Sequence, residues 1–197
     1  MDPVEFDHYL RTGVDLRRLA QTAGGEWLFP EGDDRGNNRD AYGLIITNGI
    51  LETREDFQNR VTKLGALGYY DPTDGFAGDL LQAIFQKFFP STDWMARRLA
   101  EYLATREDPV TVMGYSGGTL TVVNALRRVG RRDNFAVTLR SPVVSYPIAR
   151  LVVQGVNYNQ PWGDISNLLA PSLNPRLFVS GLLDLFCGFC IHRGNNF

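Results

Sequence analysis

Apolar positions along the chain gather into short runs separated by polar, turn-forming stretches, and the spacing inside each run predicts its form. Tyr42-Gly-Leu-Ile-Ile-Thr47 is a β-prone apolar run of the kind a strand shows when both faces are covered, and Asn48-Gly49 ends it. Thr53 followed by Asp56 resembles a capping box, and Phe57, Val61 and Leu64 then repeat at helical spacing, with Gly68 as the stop. After the turn Asp71-Pro-Thr-Asp-Gly75 comes a strongly apolar segment, Phe76 to Phe89, closed by Pro90. Ser91 or Asp93 caps a further helix carrying Trp94, Met95, Leu99 and Tyr102.

Pro109-Val-Thr-Val-Met113 is a second buried strand that runs directly into Gly114-Tyr-Ser-Gly-Gly118. The stretch Thr119 to Val129 is apolar nearly all round, as a core helix is, and stops at Gly130. Phe135-Ala-Val-Thr-Leu139 predicts a third strand, Tyr146 to Gln154 a helix, and Val156-Asn-Tyr158 a short fourth strand. Strands alternating with helices of about ten to fifteen residues imply βαβ crossovers. The expected fold class is therefore α/β, a mostly parallel sheet with helices on both faces. Residues 1–40 are the least regular. A helical stretch over Val4 to Ala20 is followed by Gly24-Gly25, a Trp-Leu-Phe-Pro segment and a polar loop from Glu31 to Asp40. We divide the chain into an N-terminal extension and loop, 1–40, and one main domain, 41–197.

Composition narrows the function classes. The 197 residues are 44% hydrophobic, enough for a full core, which excludes global disorder. A formal net charge of -2 does not suit a nucleic-acid binder. No apolar run reaches eighteen residues, so no transmembrane segment is expected. The acidic start, Met1 to His8, lacks the features of a signal peptide, so none is expected; localisation is left open, cytoplasmic unless the protein is exported as part of a secreted effector.

Chemistry concentrates at Gly114-x-Ser116-x-Gly118, between a predicted strand and a predicted helix. A serine in a sharp turn there projects its hydroxyl above the sheet edge, while the glycines let strand and helix approach. The helix N-terminus supplies backbone N–H groups where an oxyanion forms. The bland alternative is a Gly-rich turn with no catalytic role. A phosphate loop does not fit, because the lysine of G-x-x-x-x-G-K-[ST] is absent.

At these residues the chain resembles the α/β-hydrolase superfamily, and within it the lipases and esterases; its compactness is also similar to the small hydrolase domains of bacterial polymorphic toxins. The resemblance spans about Tyr42 to His192 and implies a three-layer α/β-hydrolase-like sandwich. It also implies the chain order Ser, Asp or Glu, His. Only His192 follows Ser116, His8 being the other histidine, so His192 is the base. Asp133, Asp164 and Asp184 are the downstream acids. Asp133 precedes a strand, at the wrong end of the sheet. Asp164 follows the fourth strand by a loop and leaves 28 residues before His192, whereas Asp184 leaves only eight. Asp164 is preferred. The oxyanion hole would use the N–H of Gly117 and one from the loop at Asn48 and Gly49, although this loop lacks the His-Gly forms common in the superfamily and Asn48 also fits an ordinary turn.

The implied reaction is hydrolysis of an acyl ester or lipid, with transient membrane-surface contact, no nucleic acid and no cofactor. A thioesterase, peptidase or acyltransferase on the same scaffold, or a non-catalytic binding module, are the alternatives. Phe76–Phe89 is a core helix or an acyl-chain wall. Cys187 and Cys190 fit a small buried pair or a local disulfide. Zinc would need both cysteines and both histidines, and the 31–40 loop lacks the ligand spacing for calcium, so no metal is expected.

Overall fold

Buried apolar strands linked by helices pair in parallel, since each crossover returns the chain to the same sheet edge. The computed structural model describes residues 25–49, 52–72, 94–130, 132–152 and 155–159. In chain order these form β1 (Glu26–Leu28), a 3-10 turn (Arg39–Ala41), β2 (Leu44–Thr47), α1 (Arg54–Leu64) and β3 (Leu67–Tyr70). They continue with α2 (Trp94–Ala104), β4 (Val110–Tyr115), α3 (Gly118–Val129), β5 (Phe135–Arg140), α4 (Tyr146–Val152) and β6 (Asn157–Asn159). The six strands lie in the order β1-β3-β2-β4-β5-β6, all pairs parallel except β1 with β3. The expected α/β class and mostly parallel sheet are thus present. The expected helix over Val4–Ala20, the segment Phe76–Phe89, His8, Asp164, Asp184, Cys187, Cys190 and His192 lie outside the described residues.

The two faces of the sheet have separate cores. Ile45, Leu67, Val110, Val112, Val137 and Leu139 pack with buried residues of α2, α3 and α4. Ile46, Tyr70 and Leu28 pack with Phe57 and Val61 of α1. α1 begins as its sequence indicates: Thr53 Oγ1 accepts the Asp56 N–H (3.2 Å) and donates to the Asp56 carboxylate (2.7 Å). It ends earlier than the spacing predicts. Gly65, with φ 58°, takes the left-handed cap, which frees Leu67–Tyr70 to be a strand. Gly68 is a strand residue because Phe57, Val61 and Leu28 crowd its α-carbon, leaving no room for a Cβ. Its new partner, β1, comes from within the stretch read as an extension.

The order of strands places a switch between β2 and β4. From β2 the chain moves outward to β3, then passes back over β2 to β4 and moves outward the other way through β5 and β6. In open α/β sheets the crevice at the carboxyl ends of two such diverging strands is where ligands bind.

Candidate active site

The carboxyl ends of β2 and β4 carry Asn48-Gly49 and Ser116-Gly117. Ser116 has φ 47°, one of two non-glycine residues with positive φ among those described. A non-glycine residue in this region costs about 1–2 kcal/mol and persists only where the surroundings dictate it. Here they do. The Ser116 N–H donates to the Arg140 carbonyl (3.0 Å), continuing the β4–β5 ladder past the last strand residue. Its carbonyl accepts from the Thr119 N–H (3.1 Å) and from Thr119 Oγ1 (2.6 Å). The Thr119 hydroxyl in turn accepts the Val143 N–H (3.2 Å), so one buried side chain ties the turn, α3 and the segment after β5 together.

The flanking glycines are required by contact. A Cβ on Gly114 would stand 2.9 Å from the Thr119 α-carbon and 3.2 Å from the Gly118 carbonyl oxygen. One on Gly118 would overlap the Asn48 carbonyl and the Thr47 side chain. Gly49 seats against the turn itself: a Cβ there would meet the Tyr115 ring at 2.5 Å and the Ser116 Cβ at 3.2 Å. All three glycines let β2, β4 and α3 converge on the serine.

Among the described residues, three buried side-chain polar atoms lack a hydrogen-bond partner: Thr47 Oγ1, Arg60 Nε and Ser116 Oγ. Thr47 and Ser116 end neighbouring strands, and an Arg60 guanidinium nitrogen donates to the Thr47 carbonyl (3.2 Å). Unsatisfied buried groups are rare in native folds and costly, and these three lie about the carboxyl ends of β2 and β4, Thr47 on the face of α3 and Arg60 on that of α1. Gly117 precedes the first turn of α3 without a side-chain cap, and neither its N–H nor that of Gly118 donates to a described residue. These donors stand beside the Ser116 hydroxyl at the positive end of a twelve-residue helix.

The Asn48–Gly49 side of the crevice is more committed. The Asn48 amide donates to the Asp71 carbonyl (2.8 Å) and accepts the Asp71 N–H (2.7 Å), pinning the ends of β2 and β3 together. That is a structural use of its side chain, as an ordinary turn residue would have. The Gly49 N–H donates to the Glu52 carboxylate (2.9 Å), which also pairs with Arg60 (2.7 Å). As an oxyanion donor, Gly49 would have to leave Glu52. Burial lowers the proton affinity of Arg60, an effect opposed by Glu52 and Tyr115 and reinforced by the charge of Arg140.

Asp133 is exposed and precedes β5, so it sits at the edge opposite Ser116. β6 delivers the chain to the Ser116 edge at Asn159, shortly before Asp164. Five residues matter here that sequence reasoning did not single out: Glu52, Arg60, Thr119, Arg140 and Ser141. Thr119 had a local signal, a hydroxyl three residues after the serine at a helix start. Ser141, with φ 46° and its N–H on the Asn159 carbonyl (2.9 Å), repeats one strand over the backbone of Ser116. The ion pair and Arg140 had none, Arg140 being placed by the β4–β5 register.

A cavity of about 640 Å³ lined by Trp27, Arg39, Asp40, Arg98, Glu101 and Tyr102 includes no residue of this turn. Among the described residues no group of three His, Cys, Asp or Glu side chains could hold a metal ion, and no helix is long and apolar enough to cross a membrane. Comparison of the chain with protein-family models, with curated proteins and with solved structures returned no match.

Proposed function

We propose that the protein is a serine hydrolase of carboxylic esters, of the lipase or esterase type, built as an α/β-hydrolase-like sandwich. The observation that carries this reading is Ser116: a left-handed serine between a strand and a helix, its hydroxyl buried and, like the neighbouring Gly117 N–H, without a partner among the described residues. A hydroxyl held this way has given up water and awaits a base and an electrophile. Ser116 Oγ attacks the ester carbonyl while His192 takes its proton, and Asp164 orients the imidazole and stabilises it when charged. The Gly117 N–H meets the developing oxyanion, with the Asn48–Gly49 loop as the second wall of the hole. Collapse of the tetrahedral intermediate expels the alcohol, which is protonated by His192; water, activated by the same base, then releases the acid. The position of Ser116 at the switch crevice supports this assignment, as does the return of β6 to the same edge ahead of Asp164. The substrate is an acyl ester or lipid, met by transient contact with a membrane surface.

A fluorophosphonate probe tests the reading. It labels the wild-type protein and not Ser116→Ala; labelling that survives the substitution refutes the nucleophile. Asp164→Asn lowers turnover by about 10⁴-fold, the cost of losing the orienting acid of a triad. Asp184→Asn is mild by comparison, and the opposite order transfers the role to Asp184.

A further inference from the structure

Among the described residues, charge around the serine turn does not balance. Arg140 ends β5 in register with Tyr115, the residue before Ser116, and its carbonyl holds the Ser116 N–H. Val137 and Leu139 face the α2–α3 core, so alternation sends Arg140 to the other face of the sheet, the face of α1 and Arg60. The Arg60 guanidinium lies 5.3 Å from the Tyr115 ring centroid and 5.1 Å from that of Phe57. Both arginines thus flank Tyr115 on one face at the carboxyl edge. The Arg140 charge is felt at Arg60, although like charges in a partly buried place repel.

One carboxylate, Glu52, serves this pair, and it is bonded to Arg60 and to Gly49. No ion pair among the described residues involves Arg140, although its side chain is half-buried. Arg60 adds a buried Nε–H with no acceptor among the described residues. Among the described residues, two guanidinium groups against one carboxylate leave a positive charge and unused donors next to a proposed nucleophile. A partly desolvated cation of this kind calls for an anion, and a guanidinium fits a carboxylate or phosphate by paired hydrogen bonds.

Resting on the serine-hydrolase reading, we propose that Arg140, with the Nε–H of Arg60, forms a subsite for a compact oxyanion carried by the ester substrate beside its scissile group. The enzyme would therefore prefer acidic esters, bearing a carboxylate or a phosphate, over neutral ones of equal length.

Three esters test this: p-nitrophenyl butyrate, the p-nitrophenyl monoester of glutaric acid, and dibutyryl-glycerol phosphate. In the wild type, kcat/KM for the acidic esters, relative to the neutral one, exceeds the same ratio in Arg140→Gln by about 10-fold or more, the lower range for a charge-assisted hydrogen bond. Arg140→Lys recovers part of the ratio. A larger effect on the glutarate arm identifies a carboxylate as the natural group, and a larger effect on the glycerol phosphate arm a phosphate. Equal ratios in wild type and Arg140→Gln, with both proteins folded by circular dichroism, overturn the proposal. A readout independent of turnover uses the Ser116→Ala protein: titration with monomethyl glutarate shifts the Arg140 Nε–H resonance in nitrogen-edited NMR, and an unmoved resonance also overturns it. Absence of probe labelling together with a shifted Arg140 resonance would refute the hydrolase reading while the anion subsite stands.

Discussion

Ser116 carries two unfavourable local terms at once, and replacing it separates them. Its φ of 47° costs a non-glycine residue about 1–2 kcal/mol. Its hydroxyl, buried in a residue 1% exposed and unpartnered among the described residues, forfeits hydration worth about 1–3 kcal/mol. Ser116→Ala removes the second term and leaves the first. The loss of one oxygen's dispersion contacts, at about 0.1–0.2 kcal/mol each, gives back part of the gain, so a net stabilisation of about 1–2 kcal/mol is expected. Ser116→Gly relieves both terms, but the extra freedom of its unfolded chain takes back about 0.5–1 kcal/mol. Its stability therefore equals or slightly exceeds that of the alanine variant. In a chain of 197 residues each kcal/mol moves the melting temperature by about 2–4 °C. Ser116→Ala should melt about 2–8 °C above wild type, with an unchanged urea m-value to show that the unfolded state is the same. Most substitutions at buried positions destabilise, so the sign is informative. An alanine variant that melts below wild type would mean that the hydroxyl is bonded, to the proposed base or to another group, and would refute the desolvation cost worked here.

Gly114→Ala places a methyl 2.9 Å from the backbone of Thr119, which cannot yield without unseating the turn. It should cost about 1–3 kcal/mol in urea unfolding and abolish probe labelling, whereas Gly43→Ala, which meets open space, should do neither. Tyr158, whose hydroxyl donates to the Val144 carbonyl (2.8 Å), is pushed up to about 12 by burial. An unfolded tyrosine loses its proton near 10, so the folded state holds the proton longer. The stability this contributes is complete below about pH 10 and drains as the pH rises toward 12. Urea midpoints followed through that window should fall more steeply for wild type than for Tyr158→Phe, and parallel curves would contradict the burial argument.

Elements with a long, one-sided pattern were legible in the residues themselves. The capping box at Thr53, the apolar β4 strand and the glycine-flanked serine each state their geometry locally, and the structure places them so. β1 and β3 did not, because three- and four-residue strands are too short for an alternation to show. Gly68 misled for a definite reason: it is a glycine because Val61 and Phe57 of α1 sit on it, not because a helix ends there. Of the candidate site, Ser116 and Gly117 were visible as a motif. The Glu52–Arg60 pair and Arg140 were not: the pair joins residues eight apart across the start of α1, and Arg140 is brought beside Tyr115 only by the β4–β5 register. Asn48 and Gly49 were legible as a place; that the Asn48 side-chain amide bonds Asp71 and the Gly49 N–H bonds Glu52 was not, since both partners lie outside that dipeptide.

The single hydroxyl of Thr119, shared between Ser116 and Val143, has a consequence for the time course of folding. Its farther partner, Val143, lies 24 residues away, and the glycine contact that completes the turn reaches back to Asn48 at the end of β2. Contacts of such separation form late, after loop closure has been met. A left-handed serine is unstable without them, so a chain still emerging during synthesis holds Ser116 in an ordinary, relaxed backbone. The serine turn becomes strained only when the sheet around it is whole, and a half-made molecule has no poised hydroxyl to expose.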